Sequence, residues 1–221
     1  MGALFLRRRF LLAAVALPVV VALTGCGKKS VTGRKLAAGA TVLALGDSIT
    51  FGIGASAETS YPTVLANATG WNVINAGVSG DTSAQALARL PPLLQEHAPP
   101  LVLVSIGGND FLRRLPEAET RANIQQICEL CLVSGAQVLL VAIPRFSASA
   151  AITGALSDHP MYEDIAQSLK LPLHAQGWST VLSNAALKSD QIHANAQGYE
   201  QFARGLLASV QAAKLHLRTA R

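Results

Sequence analysis

This chain contains few cysteines, and its sequence shows no cluster of residues at the spacing of a metal site. Its 221 residues include three cysteines, at positions 26, 128 and 131. Cys128 and Cys131 are closely spaced, but no second cysteine or histidine pair follows at the spacing of a metal site, which argues against zinc. Both fall on one face of a predicted helix, so we expect buried thiols. A disulfide between them stays open in an oxidising compartment.

Other absences narrow the class of protein further. No basic run is interleaved with aromatic residues, which argues against nucleic acid as a partner. Gly52-Ile53-Gly54 lacks both the third glycine and the later acidic residue of a dinucleotide-binding fingerprint. No internal repeat or low-complexity segment follows residue 40. The length suits one domain with a sizeable core.

The first 25 residues have the pattern of a signal peptide. Arg7-Arg8-Arg9 precedes an uncharged apolar run, residues 10–24, which is shorter than the roughly 20 residues of a spanning helix. The three arginines suit either the general or the twin-arginine export route. Without them the formal charge falls from +5 to +2, so the basic character belongs partly to this segment.

The signal-like segment ends in Leu23-Thr24-Gly25-Cys26, which resembles the lipobox of bacterial lipoproteins. That resemblance implies that Cys26 is lipidated and becomes the first mature residue. Residues 26–39 would then form the lipidated N-terminus and tether, and residues 40–221 the folded domain. The expected location is the bacterial cell envelope, facing the periplasm or the exterior. Gly27, in place of aspartate, favours the outer membrane.

From residue 40 onward, short apolar runs alternate with helical periods. This alternation predicts a three-layer α/β/α sandwich around a flavodoxin-like, five-stranded parallel sheet. The predicted strands are 41–45, 72–75, 101–106, 137–143 and, weakly, 171–174. The predicted helices are 61–68, 82–96, 119–134, 158–170, 178–188 and 195–216.

Polar residues follow three of these strands. The first ends in Gly46-Asp47-Ser48, the second in a segment containing Gly80, and the third in Gly107-Gly108-Asn109-Asp110. Parallel strands place their carboxyl ends on one edge of the sheet, so these segments should converge there. Each alone also has an ordinary explanation as a turn or a helix cap.

These residues fit together as a machinery for acyl transfer. A serine hydroxyl needs a base, and His193 is predicted to reach Ser48, with Asp190 or a neighbouring group orienting its ring. The Ser48 and Gly80 backbone N–H groups and the Asn109 amide could meet the negative oxygen of the transition state. The pair Asp158 and His159 is weaker, since adjacent residues face differently.

In this order, the four blocks resemble those of the SGNH hydrolases, also called the GDSL family, over about residues 41–206. Their serine, glycine, asparagine and histidine correspond to Ser48, Gly80, Asn109 and His193, and Asp190 belongs to the last block. Flanking stretches look most like the bacterial acyl-CoA thioesterase I, lysophospholipase and arylesterase group. These stretches are residues 61–62, 75–82, 87–90, 108–113 and 120–123.

The resemblance implies a serine esterase or thioesterase that uses no metal or cofactor. Its substrate would be a small acyl ester, a thioester or a lysophospholipid, and the lipid on Cys26 would hold it at a membrane. Two departures matter: Ala194 replaces the usual proline after the histidine, and residues 144–162 do not match the group's loop. Two alternatives stay open, an O-acetyl esterase of envelope polysaccharide and a lipoprotein that only binds ligands.

Overall fold

The computed structural model describes Met1 and residues 31–145 and 154–216 of the chain. Beyond Met1, the predicted signal peptide lies outside the described residues, and so does Cys26. The predictions of export and lipidation therefore stay predictions.

Seven strands are present among the described residues, and five of them build one parallel sheet. The sheet has the order β2-β1-β3-β4-β7, and β5 and β6 form a separate antiparallel pair. In chain order, the strands are β1 Thr41–Gly46, β2 Asn72–Gly77, β3 Leu101–Ser105, β4 Gln137–Val141, β5 Pro144–Arg145, β6 Ser157–Asp158 and β7 Leu173–His174.

Helices connect the strands and cover both faces of the sheet. They are α1 Ser48–Phe51, α2 Tyr61–Thr69, α3 Ser83–His97, α4 Gly108–Leu112, α5 Glu117–Val133, α6 Met161–Leu169, α7 Gly177–Ser183 and α8 Ala196–Ala212. Short 3₁₀ turns lie at Ala57–Thr59 and Ala185–Leu187. The predicted sandwich with five parallel strands is confirmed.

The core lies on both sides of the inner strands of the sheet, and the apolar residues of two of these strands, β1 and β3, are fully buried. On one face α3 packs against α5, and on the other α2 packs against α8. Trp178 and Phe202 stack with their ring centroids 3.6 Å apart, and the edge of Tyr61 meets Phe202 at 5.0 Å. These aromatic contacts tie α2, α7 and α8 into one layer.

The structure differs from the predicted elements where elements are short. Helices α1 and α4 and the β5–β6 pair were not predicted, because two to five residues carry no readable period. The predicted helix 178–188 is divided at Asn184, whose backbone is extended. The weak strand 171–174 is reduced to the two residues of β7.

Part of the expected tether packs on the domain. The Gly33 N–H donates to the Ala213 carbonyl and the Leu36 N–H to the Leu215 carbonyl, each at 2.8 Å. Leu36 is itself buried. The packed part of the chain thus starts several residues before the expected boundary at residue 40. Among the described residues, no helix has the length and apolar character needed to cross a membrane.

Candidate active site

Ser48 lies where β1 turns into α1. Gly46 ends the strand, and a side chain there would collide with Thr50 Oγ1 and the Ser105 carbonyl, so only glycine fits. Asp47 caps the helix by accepting a hydrogen bond from the Ile49 N–H at 3.1 Å. Ser48 is therefore the first helical residue, at the carboxyl edge of the sheet.

His193 reaches Ser48 from a loop 145 residues further along the chain. Its Nε2 atom is 2.9 Å from Ser48 Oγ, and its Nδ1 atom is 2.6 Å from Asp190 Oδ2. Asp190 Oδ1 also accepts from the Ile192 and His193 backbone N–H groups, each at 2.8 Å. The loop thus carries both residues on one turn, and Asp190 fixes the position and orientation of the imidazole.

The Asp190 carboxylate is stabilised as an anion. Its partial burial opposes ionisation, but hydrogen bonds from the His193 ring and from the Ile192 and His193 N–H groups hold the pKa of Asp190 below its usual value. The carboxylate is therefore ionised at neutral pH, as required to favour the imidazole tautomer that carries its proton on Nδ1 and accepts at Nε2.

The residues predicted to form an oxyanion hole lie on the two neighbouring strand ends. Gly80 has a φ of +86°, a left-handed conformation that glycine adopts without strain. Asn109, in α4, donates from Nδ2 to the Asp81 carbonyl at 3.0 Å. Asn109 Nδ2 also lies 3.5 Å from Asp47 Oδ2, too far for a strong hydrogen bond. Asn109 and Ser48 line one cavity.

That cavity has an apolar wall. Beside Ser48 and Asn109 it is lined by aliphatic side chains from four separate elements and loops: Leu112, Ile143, Leu182 and Ile192. Such a lining suits an apolar group placed next to the serine.

Two buried carboxyl groups lie behind the site. Burial raises the pKa of Asp47 to about 7, against the hydrogen bond from Ile49 and with support from the negative charges of Asp110 and Asp81. Asp110 instead has several partners, since it accepts from the Ser83 N–H at 2.8 Å and contacts the Ser83 and Thr120 hydroxyls. Asp110 thereby joins α4 to the starts of α3 and α5.

The structure places the weaker candidates outside the catalytic contacts. His159 stacks on Phe111 with ring centroids 4.7 Å apart, and its Nε2 atom is 3.5 Å from Glu117. Cys128 and Cys131 are free and buried, and burial raises the pKa of the Cys131 thiol to about 12. Among the described residues, no group of three or more His, Cys, Asp or Glu side chains is arranged to hold a metal ion.

The role of one basic residue, Arg89, was not predicted from the sequence, although it contacts two of the segments that carry the site residues. Arg89 donates from Nε to Asp81 Oδ2 at 2.6 Å and from Nη2 to the Gly46 carbonyl at 2.8 Å. A signal was available in the pattern of α3. Arg89 lies between the buried positions Ala86 and Leu90, and a charged residue beside the inner face of a helix indicates a buried partner.

Fold and site together define a class of protein. At the carboxyl edge of a five-stranded parallel sheet, a serine is hydrogen-bonded to a histidine, and that histidine is hydrogen-bonded to an aspartate. This arrangement is the triad that serine hydrolases use. The chain belongs to the GDSL-like lipase/acylhydrolase family, whose pattern matches residues 44–201. The family predicted from the four blocks is confirmed.

Individual relatives are similar over different shares of their length. The chain is 42% identical over 113 residues to thioesterase 1/protease 1/lysophospholipase L1 of Escherichia coli strain K12, which covers 49% of this chain and 53% of the relative. The match thus spans about half the length of that curated relative.

Solved structures match over nearly their whole length. The crystal structure of TesA has a TM-score of 0.70 at 28% identity, covering 78% of this chain and 99% of TesA. The structure of AlinE4, described as an SGNH-hydrolase family esterase, has a TM-score of 0.61 at 28% identity, covering 84% of this chain and 100% of AlinE4.

Proposed function

We propose that this protein is a serine esterase that hydrolyses carboxylic esters and thioesters through an acyl-enzyme on Ser48. The observation that carries the proposal is the continuous path from Ser48 Oγ to His193 Nε2 (2.9 Å) and from His193 Nδ1 to Asp190 Oδ2 (2.6 Å). Family membership supports it, as do the names of similar proteins, which include an esterase and a thioesterase/lysophospholipase.

The first half of the reaction acylates the enzyme. His193 Nε2 takes the Ser48 proton while Oγ forms a bond to the carbonyl carbon, which gives a tetrahedral intermediate. The imidazolium then protonates the leaving alcohol or thiol as its bond to the acyl carbon breaks. Asp190 stabilises the imidazolium throughout, which its low pKa permits.

The second half releases the acid. His193 removes a proton from a water molecule, whose oxygen attacks the acyl carbon, and returns that proton to Ser48 Oγ as the ester bond breaks. In both halves the carbonyl oxygen carries negative charge. We expect the Ser48 N–H, the Gly80 N–H and the Asn109 amide to donate hydrogen bonds to that oxygen.

The aliphatic wall beside Ser48 supports an acyl ester as the substrate class. Leu112, Ile143, Leu182 and Ile192 would contact an apolar acyl group, and the headgroup or leaving group would lie towards solvent. A small acyl ester, a thioester and a lysophospholipid all satisfy this arrangement.

We further propose that the protein is a lipoprotein held at the cell envelope by acylation of Cys26. The sequence Leu23-Thr24-Gly25-Cys26 after a basic and then apolar segment supports this proposal, and Gly27 favours the outer membrane. The substrate would then be met in the periplasm or at the cell exterior.

The experiment compares the full chain with Ser48→Ala, with Ser134→Ala as a matched serine variant outside the site. We expect a fluorophosphonate probe to label the parent and Ser134→Ala but not Ser48→Ala. Hydrolysis of p-nitrophenyl butyrate should follow the same order, with a loss of about 10⁴-fold or more for Ser48→Ala.

Three outcomes would contradict the proposal, and each would have a different meaning. Labelling of Ser48→Ala, or hydrolysis by it at the parent rate, would refute the assignment of the nucleophile. A parent chain that neither reacts with the probe nor hydrolyses esters would point to a binding protein. Release of acetate from acetylated polysaccharide without turnover of butyryl or longer esters would point to an O-acetyl esterase.

A further inference from the structure

Arg89 links two strand ends that build the candidate site. From the second turn of α3, its guanidinium donates to the Gly46 carbonyl, two residues before Ser48, and to the Asp81 carboxylate, the residue after Gly80. The distances are 2.8 Å and 2.6 Å. The Asp81 side chain is buried, with 9% of it exposed, and Arg89 is the cation that pairs with it.

Asp81 carries the link onward to the third strand end. Its backbone carbonyl accepts the hydrogen bond from Asn109 Nδ2 at 3.0 Å. Arg89 therefore holds the carboxylate of Asp81, and the backbone carbonyl of Asp81 orients the amide of Asn109. The neighbouring N–H of Gly80 belongs to the same turn, which the Asp81 N–H closes by donating to the Val78 carbonyl at 3.1 Å.

We propose that Arg89 is a positioning residue for the oxyanion hole: its two-pronged contact fixes the Gly80 N–H and the Asn109 amide relative to Ser48. The inference rests on the esterase function proposed above. Arg89 contacts neither the serine nor the histidine, so it acts through Asp81 and Gly46. A guanidinium suits this task because its donors form a rigid planar fork, whereas a lysine ammonium is a compact point charge on a flexible stem.

The test uses Arg89→Lys in the full chain, which keeps the charge but removes the fork. With p-nitrophenyl butyrate we expect kcat to fall about 10- to 100-fold and KM to stay within about twofold, since the oxyanion exists only in the transition state. The acid limb of the pH profile of kcat/KM should not move, because His193 and Asp190 are not touched.

The matched control is Arg121→Lys. Arg121 also pairs with an aspartate, Asp164 at 2.9 Å, but on the exposed surface of α5 and α6. We expect its kcat to equal that of the parent. Thermal unfolding of each variant monitors the fold, and if Arg89→Lys does not fold, Asp81→Asn applies the same test from the other partner.

A double variant separates positioning from a general loss of structure. In the Asn109→Ala background, Arg89→Lys should cost less than about threefold, because part of the machinery it positions is already gone. An equal loss in both backgrounds, a parent-like kcat for Arg89→Lys, or a shifted pH profile would each overturn the proposal. Lack of turnover in the parent chain would instead refute the esterase function, and this inference with it.

Discussion

At the scale of single residues, the least expected environment is that of Asp47, next to the nucleophile. Its side chain is buried, and its one strong hydrogen bond comes from the Ile49 N–H. Burial, together with the negative charges of Asp110 and Asp81, raises the pKa of Asp47 to about 7 from an ordinary value of 3.8. Between about pH 4 and pH 7, therefore, Asp47 is protonated in the folded chain and ionised in the unfolded chain.

This shift predicts how Asp47 affects stability as the pH changes. Because the folded pKa is raised, the contribution of Asp47 is fully favourable below about pH 4 and is lost as the pH rises to about 7. Asp47→Asn cannot ionise, so the free energy of unfolding of this variant, relative to that of the parent, should be about 2.5 kcal/mol higher at pH 8 than at pH 5. Urea unfolding of both chains at the two pH values measures this difference. An equal difference at pH 5 and pH 8 would show that Asp47 does not titrate with a raised pKa.

At the scale of secondary-structure elements, the N-terminus of α8 controls the loop that carries His193. Asn195 caps the helix by accepting from the Gly198 N–H at 3.0 Å. Its amide also donates to the carbonyls of Ala186 and Lys188, at 2.8 and 3.3 Å, on the far side of the loop. The Asn195 side chain thus closes the loop at its base, two residues after His193.

Asn195→Ala should therefore affect both stability and catalysis. We expect a loss of about 1 kcal/mol in the free energy of unfolding, the usual cost of a missing cap, and a several-fold lower kcat because the loop loses its closure. Urea unfolding and ester hydrolysis give the two values. The control is Asn184→Ala, since Asn184 also caps a turn, through the Ala186 N–H at 3.0 Å, but does not hold the His193 loop. A parent-like kcat for Asn195→Ala would contradict this role.

Elements with a clear period could be predicted, and contacts between distant elements could not. The strand 41–45 and the helix 82–96 differ from β1 and α3 by about one residue at each end. By contrast, no hydrophobic period indicates that His193 contacts Ser48. That pairing was predicted from the spacing of Asp190 and His193 just before a helix, and the order of the four blocks agreed with it. Arg89 was missed for a related reason, because its partners are a buried carboxylate and a backbone carbonyl on other elements.

At the scale of the whole molecule, the N-terminal segment and the site occupy opposite edges of the sheet. Residues 33–36 lie along the end of α8 and lead into Thr41, where β1 begins, whereas Ser48 follows the end of that strand. The described residue Gly33 therefore lies at the edge of the sheet opposite to Ser48, with β1 between the two edges. Anchoring and catalysis should be independent of each other.

This separation gives the test of the proposed lipid anchor. In a bacterial host supplied with labelled palmitate, the parent chain should incorporate label, and Cys26→Ser should incorporate none. Cys131→Ser is the cysteine control and should keep the label, because that thiol is buried in α5. Detergent-solubilised Cys26→Ser should still hydrolyse p-nitrophenyl butyrate at the parent rate, since its site lies at the other edge of the sheet.

Label retained by Cys26→Ser, or a mature N-terminus at another residue by mass spectrometry, would refute the proposed lipid anchor on Cys26. A lower rate of hydrolysis by Cys26→Ser would instead show that the N-terminal anchor affects catalysis.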